Sequence, residues 1–250
     1  MVSLEHIKDL ITQCRMFGKD GLDNGVNGEV PELVIDVVPP EEFLGAGGNP
    51  AIFVNSKTYK LMRTHHENWV ENRTIVFKSC FLYQPVINII GAIIHETGHA
   101  FNVAAKIPNT ETNAYIFEIE VLLRLYQTKS PLLCGCTEKD LQSYFKSRLP
   151  YYNKSITNSE FLAGQVKLIT EQFKLDEVPL SEKGNKKRPL FFILNQGPTL
   201  FAKNQVVVKE KEPLMPKVVF TPELKLIFYK LIHEHFNSTE TMSRKLMALV

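Results

Sequence analysis

The sequence predicts an α+β protein: a small sheet packs on a buried helix that carries two histidines, and a mainly helical C-terminal part follows. Three observations predict it. Runs rich in Val, Ile and Phe at residues 33–38, 51–61 and 73–80 read as strands. Residues 86–105 are almost wholly apolar, with polar groups gathered on one helical face. From residue 110 on, apolar residues recur mostly at helical spacing. The expected division falls at a break over residues 131–136. It gives residues 1–130 with the sheet and the histidine helix, and residues 131–250 as a subdomain that completes a cleft.

In chain order, residues 3–17 place Leu4, Ile7, Leu10, Ile11 and Cys14 on one stripe and stop at Gly18, which predicts an amphipathic helix. Residues 20–29 are rich in Gly, Asn and Asp. Leu22 occupies what would be a ligand position and Pro31 the twelfth place, so they form a turn-rich loop rather than a calcium site. The first strand ends at Pro39-Pro40, the second follows a glycine-rich loop, and the third precedes the apolar helix. Thr137 with Asp140 starts a helix to about Arg148, and residues 158–175 form another. Strands are expected at 190–194 and 200–209, and helices at 222–236 and 239–249, the first opened by Thr221 with Pro222.

Composition narrows the function classes. A formal charge of +2 over 250 residues, with 22% charged, implies no nucleic-acid or acidic partner. The basic run at 183–188 is interrupted by Gly184 and Asn185 and reads as a solvated loop. Cys14, Cys80, Cys134 and Cys136 are unevenly placed, which suits a reduced intracellular chain and not a disulfide framework. No apolar run is long enough for a membrane span, and the N-terminus has no basic region followed by an apolar core. The expected location is the cytosol, or export without a cleavable N-terminal signal.

The chemistry is concentrated in His95-Glu96-Thr97-Gly98-His99. On a helix, residues four apart share a face, so both imidazoles can meet one Zn²⁺ at about 2.0–2.1 Å, with Glu96 beside them as general base. Glu96 is flanked by Ile89, Ala92, Ala100 and Val103, where a carboxylate is costly unless a charge compensates it. A third His six residues beyond His99 is missing, since that position is Ala105.

Three glutamates on the next helical stretch compete for the third ligand position. Glu120 has Arg124 one turn on, an ion pair suited to a solvated face. Glu111 follows Asn109 and Thr110 in a first turn, where capping and the helix dipole explain an acid. Glu118 has Ala114, Tyr115, Val121 and Leu122 as helical neighbours and no basic partner in local reach. If the chain turns at 106–109 and returns antiparallel, Glu118 comes level with the histidines. Glu111 remains the alternative, because Glu111-Thr112-Asn113-Ala114 also looks like the E-x-x-A ligand motif of other zinc peptidases.

An H-E-x-x-H helix followed by eighteen residues and a Glu resembles the gluzincin signature, over the motif helix and the helix after it. The resemblance implies a gluzincin-like fold, zinc held by His95, His99 and Glu118, and Glu96 as general base. In such folds an edge strand pairs with the extended substrate; residues 51–55 and 74–78 are the candidates. Gly45-Ala46-Gly47-Gly48-Asn49 lacks the Met and acidic residue with which the aminopeptidase members hold a free amino terminus, so an internal peptide bond is expected. Tyr115, Tyr126, Tyr151, Tyr152 and His233 are candidate oxyanion donors. In motif placement, size and N-terminus, the chain also resembles type IV secreted bacterial effector peptidases. That resemblance implies a zinc endopeptidase acting in the host cytoplasm on a protein substrate, host actin. A housekeeping bacterial peptidase and a non-catalytic interaction module on an inherited fold are the alternatives.

Overall fold

The computed structural model describes residues 2–43 and 49–175. The chain divides into units 1–200 and 201–250, and the described residues all lie in the first. The fold is mixed α+β, mostly helical, with one small three-stranded sheet. The elements expected beyond residue 176, with His233, lie outside the described residues.

Helix α1 (Leu4–Asp20) starts where the Ser3 hydroxyl accepts the His6 N–H and ends at Gly21, whose φ of 100° favours glycine. Its buried stripe is Ile7, Leu10, Ile11, Cys14 and Gly18. Burial pushes the Cys14 thiol far up, which leaves it an inert core residue. Strand β1 (Val34–Val38) then pairs in parallel with β3 (Thr74–Lys78), Val34 opposite Thr74 and Val38 opposite Lys78. Strand β2 (Ala51–Phe53) pairs antiparallel on the other side of β3, with Ile52 opposite Val76. The order β1-β3-β2 makes β3 central and β2 an edge.

The second strand is shorter than its sequence predicts. Asn55 accepts the N–H groups of Lys57 and Thr58 through Oδ1, both at 3.0 Å, and so starts helix α2 (Ser56–Met62) inside the expected strand. A capping Asn has overridden the β-propensity of the run. Strand alternation splits the sheet's burial between two faces. Ala51, Phe53, Ile75 and Phe77 join the main core with α1 and the following helices, while Ile52 and Val76 face a smaller cluster with Trp69, Phe43 and Met62.

Helix α3 (Val86–Ala104) carries the histidine motif, and twelve of its residues are buried. A turn at Lys106, with φ 57°, and the Ile107 N–H bonded to the Asn102 carbonyl reverse the chain. Thr110 caps α4 (Glu111–Gln127). The hairpin is tight at Gly98, where a Cβ would stand 3.2 Å from the Ala114 carbonyl oxygen and the Phe117 Cβ. Helix α5 (Glu138–Ser155) opens with the expected capping box of Thr137 and Asp140, and continues past Arg148 and through Pro150. Helix α6 (Glu160–Gln172) follows. The core is continuous across residue 130, since α5 and α6 add Leu141, Phe145, Tyr152, Leu162 and Ile169 to the cluster built by α1, α3 and α4. Among the described residues no helix is long and apolar enough to cross a membrane.

Candidate metal centre

Helical spacing sets His95 and His99 side by side on α3, their rings 4.9 Å apart and nearly perpendicular. Each ring is held through Nδ1. His95 Nδ1 bonds Glu118 Oε2 at 2.8 Å, and His99 Nδ1 bonds Asn109 Oδ1 at 2.7 Å. Both acceptors favour hydrogen on Nδ1, which turns the Nε2 atoms toward a shared point. Glu111 meets them there, with Oε2 3.2 Å from His95 Nε2 and Oε1 3.6 Å from His99 Nε2. His95, His99 and Glu111 form a group that can hold a metal ion, with ligand atoms all within 4.8 Å of one another. The donor set itself fits: two neutral imidazole nitrogens and a carboxylate are common ligands of first-row divalent ions.

In this arrangement Glu111, the alternative, rather than the expected Glu118, joins the two Nε2 atoms. Glu118 does come level with His95, but on the Nδ1 side, behind the ring and away from Glu111. The physical reason is helical repetition. Glu111 and Glu118 are seven residues, about two turns, apart, so both face α3 with about 10 Å of rise between them. Glu111 sits at the turn, where the cleft opens and 55% of its side chain is exposed, whereas Glu118 lies fully inside the core.

Glu118 is fully satisfied by other partners. Tyr152 donates its hydroxyl at 2.6 Å and Tyr144 at 2.8 Å, and Arg148 donates through Nε at 3.1 Å and Nη2 at 2.9 Å. All three come from α5 at helical spacing, i, i+4 and i+8. Burial would raise the Glu118 carboxyl, but Arg148 and His95 overcome it and hold it at about 2. The absence of a basic partner in local sequence was therefore misleading, because the partner lies thirty positions on. Burial likewise opposes charge on His95, yet its hydrogen bonds to Glu111 and Glu118 push it up to about 10, so the metal-free ring carries both protons and a metal would take the place of the one on Nε2.

Glu96 lies beside this group and feels the charges of His95, His99 and Glu111. Burial is the largest influence on its carboxyl and raises it. Its Oε2 accepts the Phe53 N–H at 2.6 Å, so the edge strand β2 touches the motif directly. Glu120 departs from its expected solvated setting. It is 3% exposed, bonded to Arg124 Nη2 at 2.6 Å and to the Asp23 N–H at 2.7 Å, and burial pushes its carboxyl up to about 7.

A cleft of about 340 Å³ runs over the centre, bounded by β2, α2, α3 and α5. Of the expected donors, Tyr115 lines it, its ring 5.2 Å from that of His95. Tyr126 donates instead to Glu138, and Tyr152 is taken by Glu118. Tyr144, Arg148 and Asn109 were not singled out from sequence. Only Asn109, just ahead of Glu111, carried a local signal. Comparison with protein-family models, curated proteins and solved structures finds no match to this chain.

Proposed function

We propose that the chain is a zinc endopeptidase built on an H-E-x-x-H helix hairpin, in which Glu111, with eleven residues between it and His99, takes the place of the gluzincin-spaced Glu118 as third ligand. The observation that carries the reading is the convergence of His95 Nε2, His99 Nε2 and one Glu111 carboxylate at the mouth of a cleft, with Glu96 beside them. Two histidines and a carboxylate with an open side form the ligand set of a catalytic zinc rather than a closed structural one. When bound, zinc supplies a Lewis acid that lowers the pKa of a water and polarises the scissile carbonyl.

The protein's own groups do the rest. Glu96 takes the proton of the attacking water and passes it to the leaving amine; its raised affinity for a proton suits both halves of that task. Glu118 holds the His95 ring, and Asn109 that of His99. Tyr115 is the donor we assign to the oxyanion.

The substrate strand is assigned to β2. Strand β3 is paired on both sides and has no free edge. On either side of β2, the Val54 N–H and the Pro50 carbonyl face β3, so by alternation the backbone N–H and C=O groups of Ala51 and Phe53 point away from β3, on the side of the cleft. The Phe53 N–H is taken by Glu96, and among the described residues no hydrogen bond engages the N–H or C=O of Ala51, the pair we assign to an extended peptide.

The resemblance to the secreted effector RavK makes host actin the substrate to test, with host cytoplasm as the site of action. Incubation of purified actin with the zinc-supplied protein should give a discrete fragment. Glu96→Gln should abolish the fragment while zinc stays bound. Fragment formation by the Glu96 variant would refute the mechanism, and intact actin beside cleaved bacterial proteins would favour a housekeeping peptidase.

A further inference from the structure

The α3 stripe that carries the site continues toward the helix N-terminus as Ala92 and Asn88, both on the cleft wall. Phe81, Tyr144 and Arg148 also line the cleft, and Tyr144 packs on α3 at Gly91, between Asn88 and Ala92 in sequence. The last two are turned to Glu118, which takes the Tyr144 hydroxyl and the Nε and Nη2 of Arg148. The charge on Arg148 is thereby neutralised by a buried partner. Asn88 differs: its backbone N–H bonds the Pro85 carbonyl, but among the described residues its half-buried side-chain amide has no hydrogen-bond partner.

From these observations, and resting on the peptidase reading above, we propose that this recess is the side-chain specificity pocket. Asn88 and Ala92 select a long substrate side chain beside the scissile bond, apolar along its stem and ending in an uncharged hydrogen-bonding group, as in tyrosine or glutamine. The depth fits. Asn88 precedes His95 by seven residues, a rise of about 10 Å, which only a long side chain starting beside the scissile carbonyl approaches. Ala92 lies midway, its methyl small enough to leave room for the stem, and Phe81 provides an apolar wall. An amide at the far end can both donate and accept, which matches a hydroxyl or carboxamide tip. A site built to bond such a tip discriminates against analogues lacking it, because the Asn88 amide would be left desolvated and unpaired. A charged tip would meet no uncompensated opposite charge there.

The test is cleavage-site profiling. The zinc-supplied full chain is incubated with a library of peptides from a denatured proteome, and the residues flanking each cut are read by mass spectrometry. The wild type should enrich tyrosine and glutamine on one side of the cut over phenylalanine and leucine. Asn88→Leu should shift the tyrosine-to-phenylalanine ratio by about tenfold toward phenylalanine, roughly one hydrogen bond's worth of discrimination. Ala92→Leu should suppress cuts beside long side chains and keep those beside alanine and serine. A flat profile, an unchanged ratio in Asn88→Leu, or enrichment of aspartate and glutamate would overturn the proposal, the last because Arg148 would then be the reader. A wild-type chain that binds zinc and cuts nothing overturns the peptidase reading and the pocket together; cuts without the preference overturn the pocket alone.

Discussion

The pair Glu111 and Glu118 shows how two chemically equal side chains acquire different work from position alone. Glu111 is at the exposed turn and meets two Nε2 atoms; Glu118 is buried and meets one Nδ1 together with an arginine and two tyrosines. The second arrangement makes stability depend on acid. The Glu118 carboxyl is depressed from 4.5 to about 2 in the folded state. A depressed carboxyl contributes stability above its unfolded value and loses it as pH falls through its folded value. Of order 3 kcal/mol is at stake across that window. Urea titrations of the metal-free protein should show stability falling between about pH 4.5 and pH 2, with a shallower fall in Glu118→Gln. An identical acid slope in both proteins would mean that Glu118 is not ionised in the core. Sequence could name His95, Glu96 and His99, because helical spacing alone brings them together. It could not rank Glu111 against Glu118, since their seven-residue spacing gives both the same face and only the position of the turn separates cleft from core.

At the scale of elements, one helix–helix approach and one strand edge decide what the site can do. Tyr144 reaches Glu118 by crossing α3 at Gly91, where an added Cβ would stand 2.1 Å from the tyrosine ring and hydroxyl. Gly91→Ala should therefore displace Tyr144 and destabilise by about 1–3 kcal/mol. In a double-mutant cycle with Tyr144→Ala the two losses should be less than additive. Full additivity in thermal unfolding would show that the crossing is not tight. The glycine was visible in sequence only as part of an apolar helix; its partner, fifty-three positions away, was not. Strand β2 was legible as a strand but not as an edge, because strand order depends on long-range pairing. Its role predicts that Ala51→Pro, which removes one cleft-facing N–H and spares the ladder to β3, lowers kcat/KM by about tenfold, one hydrogen bond's worth. Unchanged peptide kinetics with an intact fold would remove β2 as the substrate strand.

For the whole molecule, the described fold reads as a frame around one ligand group. The sheet sets an edge along the cleft, the α3–α4 hairpin carries the group that can hold a metal ion, and α5 braces the hairpin from behind through Glu118. The sequence made the α+β class and the hairpin legible because both follow from local periodicity and turn residues. The bracing helix was legible as a helix and not as a support, since nothing local ties residues 144, 148 and 152 to residue 118. The measurement that tests the central claim most directly is zinc content by elemental analysis of the purified wild type, Glu111→Gln and Glu118→Gln after equilibration with a small excess of zinc. The wild type should hold one equivalent. Glu118→Gln should still fill at higher zinc, with affinity lowered by about 10–100-fold, the usual cost of losing a supporting hydrogen bond to a ligand. Glu111→Gln should lose the metal. Full retention of zinc by Glu111→Gln, or a wild type that takes up none, would contradict the assignment of His95, His99 and Glu111 as the metal centre.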